Sequence, residues 1–206
     1  MESLAMPKGC ELVTARALQA DKAFSSEDGW SLGALAGRLI ELRDSLSAAA
    51  GLIAEAQRQG EPAVWIGVSG SIFYPPDFAE AGIDLEALPV VRVADEAQVM
   101  RAADTLVRSG GFAAAVLDPG PGARAPLNAQ SRLVGLAKQH HTAVVLLTRG
   151  SPAGGSQSGL ASLRAETIRE RAGFGQFACE LRVVKDKRRG PGWRRVEVCR
   201  GPDGLH

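Results

Sequence analysis

The chain has 206 residues, 45% of them hydrophobic but only 5% aromatic, enough for one domain with a sizeable aliphatic core and short for two. No apolar run reaches the ~20 residues that a membrane helix needs, and the leading MESLAMPKGCELVTARA lacks the apolar centre of a signal peptide. Cys10, Cys179 and Cys199 are odd in number and widely spaced, which fits a reducing cytoplasm better than a disulfide framework or a zinc site.

Residues 1–29 are weakly patterned, with a short amphipathic helix expected over 11–23 before the breaker SSEDG; residues 30–206 are expected to form one domain. The stretch 38–60 reads as an apolar strand, a loop, and a helix with Leu46, Ala49, Ala50, Ile53 and Ala56 on one side. Strand, phosphate-cradling loop and helix is the architecture of a nucleotide site, whose loop should supply G-x-x-x-x-G-K-[ST]. The junction here is RDSLSAAAG. It has no lysine, its one glycine, Gly51, lies inside the helical pattern, and Asp44 stands where a triphosphate needs positive charge. Ser45 and Ser47 read as caps of the helix beginning near Leu46 rather than as a nucleophile or Mg²⁺ ligand.

A buried strand over 63–68 ends in a turn of small residues containing Ser69, whose surroundings GVSGS do not meet the G-x-S-x-G spacing of a nucleophile elbow. A short strand over 88–93 precedes a helix over 96–109, with Val99, Ala102, Ala103 and Leu106 on its apolar side. FAAAVLD reads as a strand covered on both faces, ending in Asp118. An acid there is where Mg²⁺ is held in a nucleotide site; a relic or a structural cap is the other reading. PGPGARAP makes a tight link to a helix over 127–140, and His140-His141 suit its carboxyl end, with no metal partner at ligand spacing.

After a strand over 143–148, RGSPAGGSQSG reads as a linker without an aromatic for base stacking. LASLRAETIRERA predicts a helix with Arg164, Arg169 and Arg171 on a basic side. Alternating segments over 177–184 and 193–198, joined by KDKRRGPG, predict an antiparallel β-hairpin. Residues 182–200 carry eight basic side chains against Asp186 and Glu197, a balance of +6 that leaves −5 for the rest of a chain of net charge +1. Lys185, Lys187, Arg188, Arg189, Trp193, Arg194 and Arg195 are therefore candidates for contact with DNA or an acidic partner. The bland reading is a solvated turn whose charges discourage edge-to-edge pairing.

GRLIEL…LIAEAQRQG is similar to the first strand and helix of the bacterial recombinase RecA, with several residues missing at the phosphate loop. The similarity continues in order through AGIDLEALPVVRVADEAQ, ADTLVRSGGFAAAVLD, QSRLVGLAKQHHTAVVLLTRG and ELRVVKDKRRGPGWRRVEV, over roughly residues 37–200. The small size, the arginine-rich end and the missing phosphate loop resemble the ImuA family, RecA relatives encoded with error-prone polymerases. The resemblance implies an α/β fold with a RecA-like core: a mostly parallel sheet flanked by helices, with a C-terminal antiparallel hairpin.

It also implies a degenerate nucleotide site at Asp44, Ser45, Ser47, Ser69, Asp118, Thr148 and Arg149. Residues 67–70 contain no acid where RecA-like ATPases carry the carboxylate that positions water. Thr148-Arg149 replace an amide that senses the γ-phosphate, and the link after Asp118 is shorter than RecA's first DNA loop. Lys185 and Lys187 match lysines that reach the ATP of an adjacent subunit. No cofactor and no metal are implied. The leading segment has no match to the one RecA docks on its neighbour.

The expected function is non-catalytic: translesion mutagenesis or inhibition of RecA filaments in the bacterial damage response. RecA, the error-prone polymerase components and single-stranded DNA are the partners, in the cytoplasm and away from membranes. Two alternatives stand beside it, a divergent DNA-dependent NTPase using Asp118 and a simple basic nucleic-acid-binding module.

Overall fold

The structure, a computed structural model, describes residues 29–149, 158–173 and 176–200. The helix expected over 11–23 and most of the linker after Arg149 lie outside them. The described elements run α1 (Leu32–Leu35), β1 (Arg38–Arg43), α2 (Leu46–Arg58), β2 (Ala63–Val68), α3 (Pro75–Glu80), β3 (Val90–Val93), α4 (Glu96–Arg108), β4 (Ala114–Asp118) and α5 (Leu127–His140). β5 (Ala143–Thr148), β6 (Leu163–Gly173), β7 (Gln176–Asp186) and β8 (Arg194–Arg200) complete them.

The strands form one sheet in the order β3-β2-β4-β5-β1-β6-β7-β8. The first six are parallel; β6-β7 and β7-β8 are antiparallel. The expected α/β architecture is therefore present, as is its C-terminal hairpin, β7-β8. Every residue of β4 and β5 is buried, as uninterrupted aliphatic strands must be when helices cover both faces.

Alternate residues of these strands feed two cores. On one face Ile40, Leu42, Trp65, Val116, Val145 and Leu147 pack against Ala49, Leu52, Ile53 and Ala56 of α2. On the other, Leu39, Ile66, Leu117 and Leu146 meet Val99, Ala103 and Val107 of α4 and Leu133 and Ala137 of α5. Trp65, Phe73 and Phe78 add an aromatic cluster with centroids 4.4–5.4 Å apart, fixing the connection from β2 to α3.

The helix expected from LASLRAETIRERA is not formed; that segment is β6. Its charges are spaced as on a helix, but its apolar positions obey period two. Leu163 and Ala165 turn into the α2-side core while Arg164 and Glu166 take the other face. Pairing also decides the matter. β6 satisfies the free edge of β1 from Ile40↔Leu163 to Arg43↔Glu166 and gives β7 its ladder partner. In the turn between β7 and β8, Gly190 and Gly192 have φ of 83° and 96°, a region that favours glycine.

One buried ion pair joins the parallel and antiparallel parts. Arg38 of β1 donates to Asp186 of β7 at 2.6 Å, with side chains 3% and 0% exposed. Arg38 also donates to the Ser162 hydroxyl and carbonyl. Asp186 accepts from the Arg188 amide at 2.8 Å and the Trp193 indole at 3.2 Å. Burial pushes the Asp186 carboxyl up, but these donors and the Arg38 charge outweigh it and hold it below its ordinary 3.8.

A depressed carboxyl pKa adds stability that is present above the unfolded value and lost as pH falls through the folded one. Resistance to urea unfolding should therefore fall below about pH 4, and this acid sensitivity should shrink in Asp186→Asn. Asp186→Ala, which leaves the buried Arg38 charge unpaired, should cost about 3–5 kcal/mol in the same measurement near neutral pH.

Candidate functional site

At the carboxyl edge of a parallel sheet, ligands bind where neighbouring strands send their connections in opposite directions. β1 and β5 are such a pair, since the chain leaves β1 towards β2 and leaves β5 towards β6 on the far side. The loops after β1, β2, β4 and β5 meet there. These loops and the ends of the strands they leave carry all the residues expected of a nucleotide site except Ser47, which lies in α2.

The β1-α2 connection is two residues long, Asp44 and Ser45. Asp44 is exposed, adopts φ 48°, and donates its amide to the Thr148 carbonyl at 3.0 Å. So short a turn has no room for the glycine-rich loop that wraps a phosphate in such sites. Ser45 stands at the N-cap position of α2, yet its side chain makes no capping bond, which corrects the role expected of it. Its buried hydroxyl instead pairs with that of Thr167 in β6. Ser47 is half-buried and faces away from the loops, into a groove described below. Ser69 lies exposed in the turn after β2. The buried Thr148 hydroxyl donates to the Leu42 carbonyl.

Asp118, at the end of β4, is completely buried and accepts three hydrogen bonds. One carboxylate oxygen accepts from the Ile72 amide at 2.9 Å; the other accepts from Arg149 at 2.6 Å and from the Gly120 amide at 3.3 Å. Three loops are thus held by one side chain. A Mg²⁺ ligand needs lone pairs directed at open space, and here three donors take three of the roughly four lone-pair sites of the carboxylate.

The basic candidates lie elsewhere. Asp118 in β4 and Lys185 in β7 are four inter-strand steps apart, about 19 Å at ~4.8 Å per step, and the turn after β7 lies at the amino edge of the parallel strands. Much of the turn's positive charge is engaged within the molecule. Arg188 donates to the carbonyls of Ala34 and Ala36 at the end of α1, and Arg195 to that of Trp30. Arg194 lies 3.9 Å from Glu180. Trp193 is half-buried on Asp186, with its ring against Gly29.

Lys185 is half-buried; burial pushes its ammonium below 10.5, and the charges of Lys187 and Arg164 add to that effect. Lys187 and Arg189 are exposed. They are the candidates that the fold presents most openly.

Two clusters were not anticipated from the sequence. Glu41, fully buried in β1, pairs with Arg164 at 2.9 Å, and Gln130 joins Ser158 and Leu160 to α5. A groove of about 300 Å³ also lies between α2 and β6-β8, walled by Trp30, Gly51, Ala54, Arg58, Cys179 and Arg195. The available signal was a carboxylate inside an apolar strand, as in RLIEL and AAVLD, which requires a partner from elsewhere in the chain.

No protein-family model and no curated protein matches this chain. Among the described residues, no group of three or more His, Cys, Asp or Glu side chains is placed to hold a metal ion, and no helix is long and apolar enough to cross a membrane.

Replacing Asp118 with Ala should lower stability by roughly 2–4 kcal/mol, since it removes charge-assisted hydrogen bonds and leaves buried donors unpaired. Hydrogen exchange should accelerate first at Ile72 and Gly120. Unchanged exchange at both amides would contradict the role given to this carboxylate.

Proposed function

We propose that this chain is a non-catalytic, RecA-like protein of the bacterial DNA-damage response that inhibits RecA filaments and acts beside an error-prone polymerase. The collinear resemblance over residues 37–200 supports the reading, and so does a mostly parallel sheet with helices on both faces. The observation that carries it is the separation of two corners. At the carboxyl edge, where a nucleotide would sit, the β1-α2 turn is only two residues long and Asp118 accepts from Ile72, Gly120 and Arg149. Lys187 and Arg189 are displayed at the opposite edge, four strands away.

A lysine so placed is poorly sited to serve a nucleotide on its own molecule, but a neighbour's is within the reach of simple docking. The chain therefore offers one half of a subunit contact. It joins the exposed end of a RecA filament through the basic corner and presents a face that no ATP can cement to the next subunit. Growth stops there. Contact with single-stranded DNA through the same corner is a secondary, salt-sensitive contribution, and the carboxylates of Glu180 and Glu166 on the neighbouring strands moderate it.

The divergent-NTPase reading is less favoured, because Asp118 would have to give up Arg149 and two amides before it met a metal.

Titrating the protein into RecA's single-stranded-DNA-dependent ATPase and strand-exchange reactions at constant salt tests the proposal. Inhibition is expected at sub-stoichiometric amounts, with potency falling at least tenfold in Lys187→Glu/Arg189→Glu. Inhibition only at amounts that saturate the DNA, or none at all, would count against filament capping.

A further inference from the structure

The groove between α2 and β6-β8 has an apolar lining, to which Trp30, Ala48, Ala54, Cys179 and Leu181 contribute. Apolar surface of this kind gains free energy when another apolar element covers it. Along α2 the groove runs from Ser47 to Arg58, about 17 Å of helix at ~1.5 Å per residue. Gly51 stands midway along that wall. Glycine inside a helix is less stable than alanine, and a Cβ added to Gly51 would meet nothing within 4 Å. No contact among the described residues calls for a glycine there. An element laid closely against α2 would.

The chain itself enters at this groove. Arg195 donates to the Trp30 carbonyl at 3.0 Å, and the Leu32 amide donates to Glu55 of α2 at 3.0 Å. These bonds seat the first described residues on the groove wall, so the 28 residues before Gly29 are tethered beside it. Within them the helix expected over 11–23 has a matching length, about 20 Å. Val13, Ala17, Ala20 and Phe24 recur at the spacing of one helix face, and the two alanines are small enough to approach Gly51 and Ala54 closely. Residues 24–28 reach at most about 17 Å, enough to lay that helix along α2. A tethered segment meets its site at high effective concentration, so a modest apolar contact suffices to hold it.

We propose that residues 11–24 dock as an amphipathic helix in the groove of their own chain, with Val13, Ala17, Ala20 and Phe24 turned towards α2 and Trp30. The docked helix covers Gly51 and Cys179 and gives the start of the antiparallel extension a second layer on the α2 side. The proposal is independent of the filament reading, since it uses neither the carboxyl edge nor the turn at Lys187.

Hydrogen exchange of the full chain tests it. A free helix of this length is marginal in water, so protection there reports docking. Amides over 13–24 should exchange at least tenfold more slowly than those of an unstructured peptide, whatever the protein concentration. Gly51→Trp, which fills the groove, should abolish that protection while the amides of β4 and β5 keep theirs. Val13→Asp/Ala17→Asp, which leaves the groove untouched, should do the same. Unprotected amides over 13–24 in the native chain would overturn the proposal, and so would protection that survives either variant. Protection lost on dilution would also overturn it, because the segment would then lie in the groove of a second copy.

Discussion

The carboxylate of Asp118 is removed from water at the point where the loops after β2, β4 and β5 converge, and the form of the carboxyl edge depends on it. A buried charge is tolerable only if its lone pairs are satisfied, and here the chain satisfies them itself with Arg149 and two amides. Each donor belongs to a different loop, so the ion pair also sets where those loops run. Beside it, Asp44 and Ser45 turn the chain from β1 into α2 with no residues to spare. At this edge, where a parallel sheet ordinarily receives a ligand, local bonds tie the described parts of the loops together.

The Arg38-Asp186 pair plays the corresponding part at the other end of the sheet. It anchors the end of β7 to the central strand β1, and the same carboxylate accepts the Trp193 indole and the Arg188 amide. Those bonds shape the turn. They aim Arg188 at the carbonyls ending α1 and leave Lys187 and Arg189 facing solvent. A basic stretch that looks uniform as a string of letters is thus divided by the fold into charges that hold structure and charges that are displayed. The filament reading rests on the second group alone.

The parallel core was legible because its signal is local. AVWIGV, AAVLD and AVVLLT are apolar runs of strand length, and the helices between them carry clear 3.6-residue periodicity. β6 was not legible. Its Arg, Ala and Glu favour helix, and one face of the strand is charged, so the decisive fact was the free edge of β1 some 120 residues earlier in the chain. Propensity yielded to pairing. The same limit hid the partners of the buried charges: Arg38 and Asp186 are 148 residues apart, and Asp118 and Arg149 are 31 apart. The absence of a phosphate loop could be read directly from RDSLSAAAG, whereas the occupancy of Asp118 required the fold.

The account stands most directly on the carboxyl edge binding no nucleotide, and thermal unfolding with and without millimolar Mg-ATP measures this. A ligand at a hundred times its dissociation constant adds about 2.7 kcal/mol, which for a chain of this size raises Tm by about 5–10 °C. The account predicts no rise. A reproducible rise that disappears in Asp118→Ala would show a nucleotide held at this edge and would contradict it.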